Sequence, residues 1–425
     1  MPVKNTCALL LAGEEREKSG NPRSGALSQL LFRPLIRWVW DNCTEAGIGD
    51  ICVIAGEDPE RIQRELPEGA PTVRREAGQG LRCAEAFLTE HRDKDVLVIT
   101  GDAPFLFPHI LEGALAAHRE KGSAATTIAA AWKNPMAGEE QLYTTRCGWF
   151  RGEKLLALLE KGTGANELAG ALQEAGEQAD CWLSPDFRAA LRGTGRQQLA
   201  LLSHLALEMT LDRLYEQGVD IAIPDGVVID PRAKIGEGSQ ILPGTIIKGE
   251  TVVGKNSVIG PNSWLEDSVL GEGCVINATY VLGSVLEEDV QLGPFVRVRP
   301  GSRLGAGVRI GNFVEVKNAT VGPGTKSAHL TYIGDADVGA RVNFGCGVCI
   351  ANYDGVQKHR TTIGDDCFLG CNTNLVAPVV LGAGAYTAAG TTVTEDVPED
   401  ALCIGRSRQV NLPERAKEHQ KHPRK

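Results

Sequence analysis

The chain has 425 residues, 42% of them hydrophobic and 23% charged, and a formal net charge of −10. That length exceeds one ordinary core and sets two domains as the expectation. The acidic balance argues against a general polyanion binder, so no nucleic-acid partner is expected.

No stretch approaches the roughly 18 uninterrupted apolar residues that a membrane span needs, and no membrane insertion is expected. The N-terminus runs straight into a strand-like segment, without a basic, cleavable leader. A soluble, cytoplasmic protein follows, with reduced thiols as the expected state of its 12 cysteines.

Residues 1–195 alternate strand-like and helix-like segments: Cys7–Leu11, Leu35–Ala46, Ile51–Ile54, Gly80–Glu90, Asp95–Thr100, Ile110–Lys121 and Ala124–Ala131. This order predicts an open α/β sheet of the nucleotide-binding kind. Asp102 follows the apolar run ending at Thr100. Ligands of such sheets gather at the carboxyl ends of strands, so Asp102 is a candidate Mg2+ ligand. A turn-stabilising aspartate is the rival reading. Within 196–224, Leu199, Leu202, Leu205, Met209, Leu211 and Leu214 predict a connecting helix that packs and carries no site.

From Gly226 the pattern changes. Ile229, Ile235, Ile241, Ile247, Val253, Ile259 and Leu265 recur every six residues. The frame slips, then resumes at Leu270, Ile276 and Leu282, and again at Leu292, Val298, Leu304, Ile310 and Val316. Val338, Phe344 and Ile350 follow, then Ile363, Leu369, Leu375, Leu381, Thr387 and Val393. A period of six is neither helical nor alternating. It fits short strands joined by tight turns, one inward aliphatic per side of a triangular coil, and so predicts a parallel β-helix over 225–412.

Ile350 and Ile363 stand thirteen apart, so seven extra residues protrude as a loop within Asn352–Arg360. Such insertions commonly frame a binding site. Removing them stacks Leu369 on Phe344 and Cys371 on Cys346. Cys346, Cys349, Cys367 and Cys371 have nearly a zinc-ligand spacing. Two of them fall in other slots of their coils, so small residues packing in a crowded wall is the preferred reading over a four-thiol site. The last stretch, 413–425, is basic and reads as a solvated tail.

Gly293–Gly301 (Gly-Pro-Phe-Val-Arg-Val-Arg-Pro-Gly), Gly311–Lys317 (Gly-Asn-Phe-Val-Glu-Val-Lys), His329–Asp335 (His-Leu-Thr-Tyr-Ile-Gly-Asp) and Asn352–Gly355 (Asn-Tyr-Asp-Gly) stand in this order. Residues 225–410 thereby resemble the bacterial bifunctional N-acetylglucosamine-1-phosphate uridyltransferase/glucosamine-1-phosphate acetyltransferase. The resemblance implies a left-handed β-helix and a homotrimer with sites between subunits. It also implies acetyl-CoA-dependent N-acetylation of glucosamine 1-phosphate, a step of UDP-N-acetylglucosamine biosynthesis for the cell envelope.

Acetylating an amine requires a base for its proton and donors for the tetrahedral oxyanion. The resemblance assigns the base to His329. Arg299, Lys317 and Lys358 match the sugar-phosphate site, where Arg offers a fork and Lys a point charge. Tyr332 and Asn343 match sugar contacts. Cys346, Asn352, Tyr353, Cys371, Ala389 and Arg406 match contacts to acetyl-CoA, with Cys346 and Cys371 standing where the family has Ala or Ser. Two thiols near a thioester leave an acyl-cysteine intermediate open, although direct attack by the amine needs no such relay.

The N-terminal half departs from the family. Its glycine-rich phosphate loop is replaced by Glu14-Glu15-Arg16-Glu17-Lys18-Ser19-Gly20-Asn21-Pro22-Arg23 after Gly13. Phosphates are cradled by close backbone amides, and two glutamates put bulk and negative charge there. Gln79 replaces a Thr between glycines, Gln197 replaces an Asn metal ligand, and 132–182 is too short and altered for the uridine-sugar pocket. The expectation is a nucleotidyltransferase-like domain with weak or inactive uridyltransfer. The alternatives are a fully bifunctional enzyme, in which Asp102 holds Mg2+, and a noncatalytic trimeric scaffold.

Overall fold

The computed structural model describes residues 3–13, 25–56, 58–76, 80–133, 140–160, 163 and 167–416. The phosphate-loop segment Glu14–Arg23, the Gly78-Gln79 pair and the tail beyond 416 lie outside those residues. The chain divides into two compact units, Met1–Glu208 and Met209–Lys425.

The first unit is built on a seven-stranded sheet. Its spatial order is Thr72–Arg74, Asp50–Ala55, Thr6–Ala12, Asp95–Thr100, Glu140–Arg151, Ala125–Lys133 and Ala179–Ser184. The first four strands run parallel, and the long Glu140–Arg151 strand is antiparallel to both neighbours. The apolar run of the Thr6–Ala12 strand serves two cores: Ala8, Leu10 and Ala12 face one layer, Cys7, Leu9 and Leu11 the other. A parallel strand covered on both faces has no solvent side, which is why it reads as an unbroken hydrophobic segment. Helices Leu35–Glu45, Glu85–Glu90 and Pro108–Lys121 answer to the helix-like stretches of the sequence.

Helix Arg196–Glu216 runs across the division between the units. Leu202, Ala206, Thr210 and Leu214 are buried along it. Their four-residue spacing keeps one narrow stripe on one face.

The second unit is a left-handed parallel β-helix of three sheets, with ten, nine and ten strands. The inward column of one sheet includes Ile229, Ile247, Leu265, Val281, Val298, Val316, Ile333, Ile350, Leu375 and Val393, each on its equivalent in the next coil. All are buried. Leu369 pairs with Phe344.

One expected inward position is corrected. Val281, not Leu282, pairs with Leu265 and Val298 and is buried. The frame slips because some corners take one residue fewer. The steps Leu265–Leu270, Ile276–Val281, Val281–Leu286, Val316–Val321 and Ile333–Val338 span five residues. They turn through Asp267, Ala278, Gly283, Asn318 and Asp335, whose φ values lie between 44° and 48°. A left-handed residue turns the chain more sharply than an extended one, so each corner loses a residue without disturbing the stack. A further inward place is taken by Ser327, between Ile310 and Phe344, its buried hydroxyl unpaired among the described residues.

Candidate functional site in the β-helix

Two groups of side chains occupy opposite corners of one face of the β-helix. The face is formed by strands Arg297–Val298, Glu315–Lys317, Tyr332–Gly334 and Cys349–Ala351, and Arg297, Glu315, Tyr332 and Cys349 stack along it.

At the corner entering this face lies His329. Asn312 and His329 are strand partners, and Ser327, two residues before the histidine, stacks on Phe344. Phe344, Leu369 and Thr387 stack in turn. Two residues beyond each comes His329, Cys346, Cys371 or Ala389, so these four form one column along the corner. The Asn372 N–H to Cys346 O and Gly390 N–H to Cys371 O bonds, both 2.8 Å, tie its storeys together. Arg406 extends it, since a Cβ on Gly390 would stand 3.6 Å from Arg406 Cδ. Asn343 lies half-buried three residues before Cys346, on the preceding face. His329, Cys371, Ala389 and Arg406 are exposed.

Each residue of this column precedes one with positive φ: Leu330, Gly347, Asn372 and Gly390. In the coils before His329 the same corner holds Phe313 and Phe295, also at positive φ. Bulky side chains rarely adopt that conformation. Phe295, Phe313 and Leu330 are nonetheless 58–59% exposed, and the two phenyl rings stack with centroids 5.4 Å apart. A cavity of about 370 Å³ beside them is lined by Tyr280, Arg297, Glu315 and the same rings.

At the corner leaving the face is a charged cluster. Arg299 and Lys317 follow each other in successive coils, and Arg299 Nη1 donates to Glu315 Oε1 at 3.0 Å. Lys317 Nζ donates to Asp335 Oδ2 at 3.3 Å, and Asn318 Nδ2 to Oδ1 at 2.7 Å. Asn352 Nδ2 also donates to Oδ2 of Asp335, and it lies 3.5 Å from the Tyr332 hydroxyl. Burial works to raise the Asp335 carboxyl pKa, but the donors Asn318, Asn352 and Lys317 outweigh it and leave the group below the usual carboxylate range.

The protruding loop brings in another cation. Asp354 accepts the Val356 and Gln357 N–H groups at 2.7 Å and pairs with His359, while Arg360 forks onto Asp337 and donates to Asn318 O at 3.0 Å. So anchored, the loop sets Lys358 against Lys317. The Lys317 ammonium, itself held by Asp335, pushes Lys358 below the ordinary lysine value. Two cations held together invite an anion. Tyr353 is 59% exposed at the start of the loop.

The sequence-predicted residues thus fall into two sets within one chain. Lys317, Lys358, Tyr332 and Asn352 meet around Asp335, with Arg299 in the adjacent coil; His329, Cys346, Cys371, Ala389 and Arg406 line the other corner. Asn352 joins the cationic set. Asp335 was part of a recognisable motif yet carried no expected role; its signal was a carboxylate next to Gly334 among apolar neighbours. The four cysteines with zinc-like spacing do not converge: Cys367 is buried, its Sγ 3.1 Å from Gly382 O, while Cys371 is exposed.

In the first unit, Asp102 stands after the Asp95–Thr100 strand, as expected, but its carboxylate is engaged. Arg192 Nε and Nη2 donate to Oδ1 and Oδ2, each at 3.0 Å. Both side chains are nearly buried, 10% and 11% exposed. A divalent cation would need the same oxygens, so the residues around Asp102 do not fit a metal as they stand. Among the described residues no group of three or more His, Cys, Asp or Glu is arranged to hold a metal ion, and no helix is long and apolar enough to cross a membrane.

Fold and site together define a two-part transferase, a nucleotidyltransferase-like domain followed by a hexapeptide-repeat domain. Family models agree: residues 8–179 match the MobA-like NTP transferase domain, 220–331 the GMPPB C-terminal domain, and 360–395 the bacterial transferase hexapeptide (six repeats). The bifunctional protein GlmU of Clostridium perfringens is 34% identical over 96% of this chain and 98% of its own length. Those of Bacillus velezensis and Exiguobacterium are 34% and 35% identical, each over 95% of this chain and over 96% and 98% of their own. A solved 4-diphosphocytidyl-2C-methyl-D-erythritolsynthase from Anaerococcus prevotii, at 12% identity and TM-score 0.36, covers 47% of this chain and 95% of its own. The chain belongs to the bifunctional GlmU family, and is therefore an enzyme of UDP-N-acetylglucosamine biosynthesis whose hexapeptide half is of the acetyltransferase kind.

Proposed function

We propose that the β-helix transfers the acetyl group of acetyl-CoA to the amine of glucosamine 1-phosphate, giving N-acetylglucosamine 1-phosphate. The observation that carries this reading is the column in which His329, Cys346, Cys371 and Ala389 succeed one another. A pantetheine arm laid along that corner delivers its thioester beside the imidazole. His329 takes the proton as the amine nitrogen bonds to the acetyl carbon; the C–S bond then breaks and coenzyme A leaves as its thiol. Arg299, Lys317 and Lys358 hold the sugar phosphate, with Tyr332 and Asn343 on the sugar. Asn352, Tyr353 and Arg406 complete the contacts to the carrier.

The enzyme acts as a homotrimer in the cytoplasm. Support for assembly comes from the exposed, strained Phe295, Phe313 and Leu330, and from the placement of base and clamp at opposite corners, which lets one chain's clamp face a neighbour's column. Uridyltransfer by the first unit is weak or inactive: Glu14 and Glu15 stand in the phosphate-loop sequence and Arg192 occupies Asp102.

Acetyl-CoA consumption with glucosamine 1-phosphate, free glucosamine and UDP-glucosamine tests the first claim. Only the sugar phosphate should support rapid turnover, and the scaffold reading stands if none of the three does. Robust formation of UDP-N-acetylglucosamine from UTP and N-acetylglucosamine 1-phosphate would restore the fully bifunctional reading.

A further inference from the structure

We infer that Arg192 is a built-in counter-cation that excludes divalent metal from Asp102. The inference rests on the reading of the first unit as a weak or inactive uridyltransferase, and supplies a cause for it.

Three features separate this pair from an incidental surface contact. Its geometry is bidentate, with both carboxylate oxygens taken by the guanidinium at 3.0 Å. A guanidinium stays protonated at any working pH, so the counter-charge is permanent. The backbone also brings the two residues together. The next residue, Gly193, donates its N–H to Asp102 O at 2.8 Å, and a Cβ there would come within 2.2 Å of Leu35 Cδ1. Gly193 thus packs against helix Leu35–Glu45, next to the residue that carries the guanidinium.

On the carboxylate side, Gly101 is equally close-fitted, its would-be Cβ 2.9 Å from Ala26 Cβ and 3.2 Å from Leu11 O. Closely packed glycines thus flank both partners. A metal ion arriving at Asp102 would have to displace a cation of the protein's own from both carboxylate oxygens. The local charge that a metal would neutralise is already neutral.

The test is Mn2+ binding to the full-length chain, read by the electron paramagnetic resonance of free Mn2+ with no nucleotide present. The wild-type protein should show no site that Asp102→Asn removes. Arg192→Ala should gain one site per chain, at least about tenfold tighter than any wild-type binding, and Arg192→Ala combined with Asp102→Asn should lose it. Arg192→Gln serves the same purpose if the alanine variant does not fold. Wild-type binding that Asp102→Asn abolishes overturns the inference, as does a folded Arg192 variant that gains no site. The two claims fail separately: a wild-type enzyme that turns over UTP without Mn2+ at Asp102 removes only the inactivity reading, whereas Mn2+ at Asp102 without UTP turnover removes only this one.

Discussion

Asp335→Asn removes one negative charge from the cluster without changing its size. In the wild-type protein the carboxylate, 9% exposed, faces Lys317, 15% exposed, and also accepts from Asn318 and Asn352. After the substitution, one of the three donors meets an NH2 group, and the Lys317 ammonium loses its countercharge while Lys358, a like charge, stays beside it. Breaking a buried pair by removing one partner costs about 3–5 kcal/mol. Lys317 can still reach solvent, so about 2–3 kcal/mol is expected here, or a fall of about 4–12 °C in Tm for a unit of this size.

The pH dependence has a definite sign. The Asp335 pKa is lower folded than unfolded, so its stabilisation is full above the ordinary carboxylate value of about 4 and is lost as pH falls through the lowered folded value. Melting curves of the wild-type and Asp335→Asn proteins, followed by circular dichroism, should therefore differ at neutral pH and converge in acid. Equal Tm values at neutral pH, or a gap that persists unchanged at pH 2, would refute the reasoning.

Replacing His329 with Ala should lower acetyl-transfer turnover by about 100-fold or more while leaving the calorimetric affinity for acetyl-CoA nearly intact; unchanged turnover removes the assigned base. Lys358→Ala should raise KM for glucosamine 1-phosphate by about tenfold with kcat less affected, and a KM unaltered in steady-state kinetics takes the loop out of the phosphate clamp. Phe313→Asp should dissociate the homotrimer, which light scattering reads as a fall in mass; a full-size assembly would place the subunit contact elsewhere. Cys371→Ser should keep turnover within about threefold, since direct attack needs no thiol, and a loss as large as that of His329→Ala would revive the acyl-cysteine route.

Much of the β-helix is legible because an inward aliphatic at each side of a coil imposes a period that chance does not sustain. Ile229 to Leu265 read correctly for that reason. The frame was lost where corners shorten: Leu282 looked inward only because the steps on both sides of Val281 hold five residues. Ser327 hid another storey, since a hydroxyl in an aliphatic column breaks the pattern while keeping the fold.

At the site, composition and order pointed to individual residues, but not to what each one touches. Asp335 and Lys317 are 18 residues apart, and Asp102 and Arg192 are 90 apart. Only a known coil length could have exposed the first pair, and nothing local marks the second. Alternation within the Thr6–Ala12 strand was equally hidden, because a strand buried on both faces shows no polar side.

The corner that carries His329, Cys346, Cys371 and Ala389 is a ruler. Its graduations are the parallel-strand spacing of about 4.8 Å, set by backbone hydrogen bonds and indifferent to which side chain occupies each mark. A carrier of fixed length, anchored past Ala389, would have its reactive end delivered to one storey only. Substituting a residue along the way would roughen the groove without moving that end, whereas inserting or deleting a whole coil would carry the imidazole out of reach.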